Sequence, residues 1–572
     1  MLIGIALAWL GGLWLKAYGL LTLDPVAAGS LVLLLAFVLL QGGAELRARL
    51  WVVPIALLAA AAGFGLQSPT QTPCRSFAEA DLTARVLAVR HRQENALMTL
   101  EVLYGRELSR GTPLPEGLRL RLRTEHDRGV PAGSTVQLRA KLQPAIRLLN
   151  QRARPAAFGA GGFECHARSS PSQPMRLLRA PRLRLWLDRI RTSTRKHFIE
   201  GLRPWPAAVA RALVLGEGSA LPYAQRQTIA AVGLSHLFAV SGLHVALVSG
   251  TLLRLLQAML RACVVRMDGR RLASALAVPL TLLHAAFAGG SPSAWRAAVT
   301  AAVSWGLVAL NRKPSVGSVT ATAALLLSAS DPQMALRPAF ILSIVATAAI
   351  LSAPAVRGRG LSKRLRMAST ISARTLVATA PMVWYWFGGV PLIGWLTNIL
   401  LLPLGSMVLI PLVHLYALTT ALPELGRGLA PLVSFSSDAL WLLCEAFARF
   451  APGRRLPPLS SSQALIVLLS CAALLLLRGF RTRLLCLLLG LCLWSGAEWQ
   501  LRRSERPSGE LRVSFIDVDQ GDAALIDLPD GRLALIDTGP GGRHPAAREL
   551  RELLGERRRS TIDLLVVTHG HP

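Results

Sequence analysis

Between residues 227 and 499 the chain is apolar sequence broken by four short basic clusters, at 261–271, 312–313, 357–366 and 478–483. A helix that crosses hydrocarbon needs about 20 apolar residues. Lys and Arg collect in the loops that stay in the cytoplasm. Placing all four clusters on that side gives a zigzag of about ten spans. Apolar runs at 2–20, 24–40 and 51–66 read as three more. Arg47 and Arg49 hold the second connection in the cytoplasm, so the third span exits on the far side. The total of about thirteen is odd, which puts the C-terminal segment on that far side too. The chain is 52% hydrophobic with mean hydropathy +0.44, which excludes an ordinary soluble protein and fits a multi-span one. Residues 2–20 lead straight into the next apolar run without a small-residue cleavage site, so no removable signal peptide is expected.

Residues 67–176 have a different character. Leu118, Leu120 and Leu122 alternate with Arg119, Arg121 and Arg123, and Val136, Leu138 and Ala140 with Gln137, Arg139 and Lys141. Period two marks strands with one buried face. Several short strands in so few residues suggest a small β-barrel, with the OB-fold a leading candidate. Arg119, Arg121, Arg123, Arg139 and Lys141 are candidate DNA-backbone contacts, and a merely solvated face is the alternative. The whole chain carries 63 Lys and Arg against 32 Asp and Glu, a net charge of +31. Cytoplasmic loops account for much of it. The rest suits an anionic partner, either lipid head groups or nucleic acid. Cys74 and Cys165 bracket this segment, and a disulfide closing it is the expectation if it faces an oxidising compartment. The other five cysteines, Cys263, Cys444, Cys471, Cys486 and Cys492, read as small apolar fillers.

Residues 177–226 link the β segment to the long apolar one; from Leu183 they read as an amphipathic helix that lies on the membrane or packs on the bundle. Polar clusters then stand out in the apolar sequence. The first holds Ser235, His236, Ser241, Gly242 and His244. Imidazoles and hydroxyls in a span usually face the bundle interior or a water path; an ordinary helix–helix hydrogen bond is the other reading. In the second, Ser291 and Pro292 start a helix and Arg296 follows a turn later, a costly cation unless it meets an anion, carbonyls or water. The third is Asp331 with Arg337, Phe340 and Ser343, where an Asp331–Arg337 pair is expected to fix the loop. The fourth is Asn398 with Pro403 and Pro411, which predict a broken helix lining a cavity.

From residue 511 short strands and a helix suggest an α/β layer fold. Thr568-His569-Gly570-His571 closes one strand, and two histidines at i and i+2 can point at one metal. Asp522 and Asp537 stand upstream at the ends of earlier strands.

The clusters resemble, in order and spacing, the ComEC family of DNA-uptake channels: Gly-Leu-Ser-His…Ser-Gly-Leu-His, Ser-x-x-x-Arg-Ala, Asp-Pro…Phe-x-Leu-Ser and Asn-x-x-x-x-Pro. The β segment resembles the family's OB-like domain, with Asn150 in place but Gln151-Arg152 where Pro-Gly is usual. Residues 511–572 resemble the opening of its metallo-β-lactamase-like domain, with Asp519 where glycine is usual.

The resemblance implies a polytopic α-helical membrane protein of the bacterial inner membrane. It would have N-terminal spans (1–66), an inserted periplasmic OB-like β-barrel (67–176), linker helices (177–226), a channel domain (227–500) and the start of a metallo-β-lactamase-like α/β domain (511–572). It implies import of single-stranded transforming DNA, with Ser235, His236, Ser241, Gly242, His244, Arg296 and Asn398 in the channel. His569 and His571 would be ligands of a Zn or Mn ion, with Asp522 and Asp537 beside it in a catalytic pocket. The Asp-His pair and later histidines of the full ligand set do not occur by Pro572, so this chain is expected to hold no metal and no hydrolase activity as it stands. No GxxxxGK[ST] motif occurs. Drive would therefore come from a cytoplasmic competence ATPase or helicase, or from the proton gradient. A periplasmic DNA receptor, membrane lipid and a second copy of the chain are the other candidate partners. A membrane-anchored hydrolase and a transporter of another anionic polymer or solute are the rival functions.

Overall fold

A computed structural model describes residues 79–569 apart from 92–95, 109–112, 115–117, 125–129, 131–132, 145–164, 170–174, 180, 239–241, 263–267, 331–336, 355, 357, 452–455, 478, 506–508, 517–521, 540–549 and 551–552. The expected spans in 1–66, Cys74, Asp331, Ser241 and His571 thus lie outside the described residues. The chain divides into two compact units. One holds residues 1–145, 160–343 and 391–452; the other holds 146–159, 344–390 and 453–572.

In the first unit six strands open the described chain: β1 (Ala80–His91), β2 (Ala96–Glu107), β3 (Arg119–Thr124), β4 (Thr135–Pro144), β5 (Cys165–Ser169) and β6 (Arg176–Arg179). Their order is β1-β2-β3-β5-β4-β6, and β1 also pairs with β4, which closes a five-stranded ring. All pairs are antiparallel except β3 with β5. The period-two pattern decides which face goes inside. Leu82, Val86, Met98, Leu100, Leu120, Leu122 and Leu142 fill the barrel and are fully buried. Register shifts at Thr83/Ala84 and Val86/Ala88 bend β1, the device by which a strand turns a barrel corner.

Three helices lead into the bundle: α1 (Arg182–Gly201), α2 (Pro204–Leu215) and α3 (Tyr223–Ala231). Helix α2 has a proline in its first turn and ends on Gly216 in the left-handed conformation, the usual punctuation of a short helix. It is buried nearly all round. Val209, Leu213 and Leu215 meet Phe198, Ile229, Leu237, Val413, Tyr416 and Leu440 in the largest core.

A single turn, α4 (Ser235–Phe238), precedes α5 (Gly242–Ala262), α6 (Gly269–Phe287), α7 (Pro292–Ala309), α8 (Val316–Ser330), α9 (Pro338–Leu351) and α10 (Gly360–Phe387). Then come α11 (Gly394–Leu404), a π-helical segment (Gly405–Leu409), α12 (Ile410–Leu418), α13 (Pro423–Ala448), α14 (Ser461–Leu476) and α15 (Phe480–Ser504). Ser291 caps α7 as its sequence predicts, accepting from the Ala294 N–H at 3.3 Å. The break expected from Pro403 and Pro411 does not occur. Residues Gly394–Ala421 form one continuous rod, and the wider π turn between the two prolines absorbs the backbone bonds that they cannot donate.

Four of these helices are long and apolar enough to cross a membrane: His244–Ala262, Gly394–Ala421, Pro423–Ala448 and Phe480–Ser504. Others are shorter. Helix α8 has 15 residues, roughly 22 Å of rise against the roughly 30 Å of a hydrocarbon core.

In the second unit α10 packs on α14, and α14 on α15. Strands β7 (Arg512–Phe515), β8 (Ala524–Asp527), β9 (Leu533–Ile536) and β10 (Leu564–Val566) form a sheet in the order β10-β9-β8-β7. Strands β9 and β10 are parallel. A buried polar knot joins this segment to the helix ends. The Glu498 carboxylate takes Gln463 Nε2 at 2.9 Å, Arg502 Nε at 2.9 Å and an ion pair from Arg558 at 3.1 Å.

Candidate functional site

The bundle builds its polar site from the turn at Gly233. That residue has φ +77°, and a Cβ there would lie 2.9 Å from the Gly394 α-carbon. Only glycine permits both, so the backbone before α4 sits directly on the start of α11. The Thr397 hydroxyl donates to the Val232 carbonyl at 2.6 Å. Gly405, in the π segment, leaves room for the Leu237 side chain. Thus the Ser235–His236 turn and the helix of Asn398 are held together, although 160 or so residues separate them. His236 Nδ1 lies 3.1 Å from the Gly233 carbonyl, and Ser235 and His236 are exposed. The Asn398 side-chain oxygen is buried with no hydrogen-bond partner among the described residues.

A second convergence lies at the start of α5. Val245, Ala285, Ala297 and Ala298 form one small buried cluster, which brings together the start of α5, the end of α6 and the start of α7. The residues beside these alanines and this valine are His244, His284 and Arg296. His244 is fully buried and Arg296 is 7% exposed. The His284 ring lies 6.0 Å from that of His414 on α12, whose Nδ1 pairs with the Ile410 carbonyl at 2.8 Å. With Nδ1 so engaged as a donor, His414 Nε2 is left as an acceptor. His284 Nε2 and His414 Nε2 are both buried without a hydrogen-bond partner among the described residues. Neither histidine was among the sequence candidates. Their signal was the one that marked His236 and His244, a lone imidazole in an apolar run (Thr-Leu-Leu-His-Ala-Ala, Pro-Leu-Val-His-Leu-Tyr).

Among the described residues Arg296 Nε also has no hydrogen-bond partner, and no carboxylate pairs with this guanidinium. A buried, unpaired guanidinium costs several kcal/mol, roughly the effective desolvation penalty of one ion. It is stable only where water or an anion reaches it.

On the barrel, Arg119, Arg121 and Arg123 alternate along β3 with the buried Leu120 and Leu122, and pair in register with Glu101, Thr99 and Leu97 of β2. Strand β5 lies between β3 and β4 and sets Arg123 opposite Arg168, and Arg168 opposite Lys141. Three cationic positions therefore form one row across three strands. Arg168 was not a sequence candidate, because its strand is too short to show alternation. Arg139 is placed differently: it is bound to Asp81 through Nε at 2.7 Å and Nη2 at 3.1 Å. That bidentate pair takes up donors that a phosphate would need.

In the C-terminal sheet the carboxyl ends of β9 and β10 bring three predicted residues together. Asp537 sits at φ +52°, and its carboxylate accepts from the Thr568 N–H at 2.8 Å and from the Thr568 hydroxyl. The Asp522 carbonyl accepts from the Gly539 N–H at 3.1 Å. The Thr568 hydroxyl also lies 2.8 Å from His569 Nδ1, and the His569 side chain is exposed. Among the described residues no three His, Cys, Asp or Glu side chains form a metal-holding group. Cys165 lies in β5, and its pairing with Cys74 falls outside the described residues.

Residues 213–482, which contain both polar convergences of the bundle, match the competence protein family. A relative, Competence protein ComA of Neisseria gonorrhoeae, is 31% identical over 362 residues, 62% of this chain and 50% of that one. Residues 213–482 therefore form a competence-family domain. It spans about half the length of the curated relative that it matches. Residues 516–572 match the metallo-beta-lactamase superfamily, in agreement with the parallel β9–β10 edge and its carboxylates. No solved structure matches the chain.

Proposed function

We propose that this chain is a polytopic inner-membrane channel that passes single-stranded transforming DNA into a bacterium. The observation that carries the reading is Arg296, a buried guanidinium with no carboxylate among the described residues to neutralise it. A strand of phosphates supplies the anion that it lacks. His244 near the start of α5, His284 near the end of α6 and His414 within α12 add imidazoles, and Asn398 adds an amide oxygen. Such groups can hydrate a polyanion inside a bundle whose outer surface is apolar.

The barrel fits the first step. Its closed ring β1-β2-β3-β5-β4 supports the OB-like reading, and the cationic row at Arg123, Arg168 and Lys141 would capture DNA by releasing its counterions. On this reading the barrel and the C-terminal segment face the periplasm. The proposed partners are a DNA receptor there and an ATPase or helicase in the cytoplasm. The C-terminal segment contributes Asp522, Asp537 and His569 to a nuclease-like edge. Zn or Mn is the metal that such an edge would take, with His571 as a further ligand.

The test is a deletion strain complemented with the wild type, His244→Ala or Arg296→Ala, scoring surface-bound and internalised labelled DNA separately. Normal surface binding with internalisation lost in the deletion and in both variants is expected. Internalisation unchanged by the deletion would remove the DNA-uptake reading and favour an anchored hydrolase.

A further inference from the structure

Helix α1 runs from the barrel to the bundle, and its two halves are placed differently. In the second half Thr194 and Phe198 are buried. Arg191, at the middle, fastens the helix: its Nη1 donates to the Phe287 carbonyl, and its Nη2 to the Leu215 carbonyl at 3.0 Å. Those carbonyls belong to the last residues of α6 and α2, so this cation sits where two helix dipoles end negative. In the first half, seven residues earlier and roughly 10 Å along the axis, the Arg184 side chain lies against Gly133 in the turn before β4.

On the membrane reading above, on which this inference rests, these contacts fix the depth of α1. Helix α6 starts beside the basic cluster at 261–271, which that reading puts in the cytoplasm, so Phe287 closes it at the opposite surface, the side assigned to the barrel. Its 19 residues rise about 28 Å, close to the thickness of the hydrocarbon. Helix α1 therefore lies at the boundary between hydrocarbon and water. What its first half presents suits that boundary. Leu183 is 60% and Trp186 49% exposed, and Arg182 and Arg189 are exposed without an acidic partner among the described residues. At about 100° per residue, Leu183 lies about 60° from Trp186, and both arginines fall within about 60° on the other side of it. The one carboxylate of this half, Asp188, falls about 160° from Trp186, on the far face. Three residues before α1, strand β6 ends on Arg179, and all four of its residues are exposed, Arg176 included.

We propose that the first half of α1 docks on an anionic phospholipid surface and so sets the height of the barrel above the bilayer. Arg182 and Arg189 meet headgroup phosphates, Trp186 takes the interfacial level that indole rings favour, and Leu183 reaches the upper acyl carbons. DNA would meet the arginines but would offer nothing to Leu183, whereas a lipid leaflet presents phosphate and hydrocarbon within about 10 Å of each other. The two places that the sequence allows this helix, on the membrane or on the bundle, thus go one to each half.

The experiment puts the photoreactive residue p-benzoylphenylalanine in place of Trp186 in the full chain. The protein is held in nanodiscs of phosphatidylcholine with a minority of phosphatidylglycerol, and the adducts are identified by mass spectrometry. Lipid adducts are expected, with phosphatidylglycerol enriched several-fold over its share of the disc. Arg182→Gln together with Arg189→Gln, both at exposed positions, should bring that enrichment down to the ratio of the disc while the protein elutes unchanged on size exclusion. Added single-stranded DNA should leave the adducts lipid; DNA adducts in their place would make the patch a nucleic-acid contact and overturn the lipid assignment. Phosphatidylglycerol captured only in proportion, or an enrichment unmoved by the double variant, would also overturn it. The same photoreactive residue in place of Phe435, which is exposed on α13, tests the membrane reading by itself. Lipid adducts at 435 and none at 186 would overturn this inference alone. Adducts at neither position would remove the membrane reading, and this inference with it.

Discussion

The Thr397 hydroxyl donates a 2.6 Å hydrogen bond to the Val232 carbonyl, and both groups are buried. This one bond joins the turn that launches the first histidine segment to the helix that carries Asn398. Replacing Thr397 with valine keeps the shape and leaves the Val232 carbonyl without that donor. A buried polar group left unpaired costs about 1–3 kcal/mol. The expected result for Thr397→Val is a lowered thermal midpoint in detergent, together with a loss of DNA internalisation larger than the loss of folded protein. Unchanged values in both assays would mean that the contact does not organise the site.

Gly233→Ala should be worse than Thr397→Val. The left-handed backbone at φ +77° costs an alanine about 1–2 kcal/mol. Its Cβ would also meet the Gly394 α-carbon at 2.9 Å, and backbone cannot step aside as a flexible side chain can. Expression of folded protein, followed by size-exclusion chromatography, is the measurement. A second change at Gly394 should not rescue the variant, because the left-handed strain stays at 233.

Much of this site was legible in the sequence because each polar cluster interrupts an apolar run. Ser291 and Pro292 predicted the start of α7, and alternation predicted which side of β3 carries Arg119, Arg121 and Arg123. What sequence could not supply was which elements meet. The pairing of Gly233 with Gly394 is a contact between two residues without side chains, and nothing in either run announces it. His284 and His414 each stand alone in an apolar run, and only the packing of α6 and α12 sets their rings 6.0 Å apart. Arg168 gained meaning only when β5 was inserted between β3 and β4, a crossover that no local pattern encodes. The prolines at 403 and 411 misled in the opposite direction. Their missing donors predicted a break, and a π turn accommodated them without one.

Glu217 gives the fold a pH dependence with a definite sign. Burial alone would raise its carboxyl, but the bonds from Arg195 and Arg211 outweigh burial and hold it below the ordinary glutamate value of 4.5. Arg195 Nη2 lies at 2.6 Å, Arg211 Nε at 2.9 Å, and Arg191 adds a pair at 3.7 Å. A depressed carboxyl contributes stability that is complete above the unfolded value and is lost as pH falls through the lower folded value. The thermal midpoint should therefore decline in the window below pH 4.5. Glu217→Gln should be less stable at neutral pH by about 3–5 kcal/mol, as for a broken buried ion pair, and should lack that part of the acid decline.

Arg296 separates charge from geometry. If an anion reaches this buried guanidinium, Arg296→Lys keeps a positive charge and should retain part of the DNA internalisation, with reduced efficiency because the bidentate fork is gone. Arg296→Gln should lose nearly all of it, yet fold as well as the wild type or better, since an unpaired buried charge has been removed. Melting curves and uptake of labelled DNA, measured on the same variants, test both halves. A glutamine variant that is destabilised and still takes up DNA would mean that the guanidinium serves the fold alone.

The row formed by Arg123, Arg168 and Lys141 makes a quantitative claim about the barrel. Like charges placed opposite one another across strands repel and destabilise a sheet. A polyanion that neutralises them turns that repulsion into binding. Each phosphate contact contributes about −0.9 to the slope of log affinity against log salt on duplex DNA, and about −0.7 on a single strand. Arg168→Gln and Lys141→Gln should each weaken DNA binding by the full-length protein and lower the magnitude of that slope by about one contact, whatever the DNA sequence. Arg139→Gln is the informative control. Its guanidinium is already held by Asp81 at 2.7 Å, so the slope should hardly change while the barrel loses some stability. If Arg139→Gln altered the slope as much as Arg168→Gln, the DNA would lie nearer the β1–β4 seam than the β3–β5–β4 row.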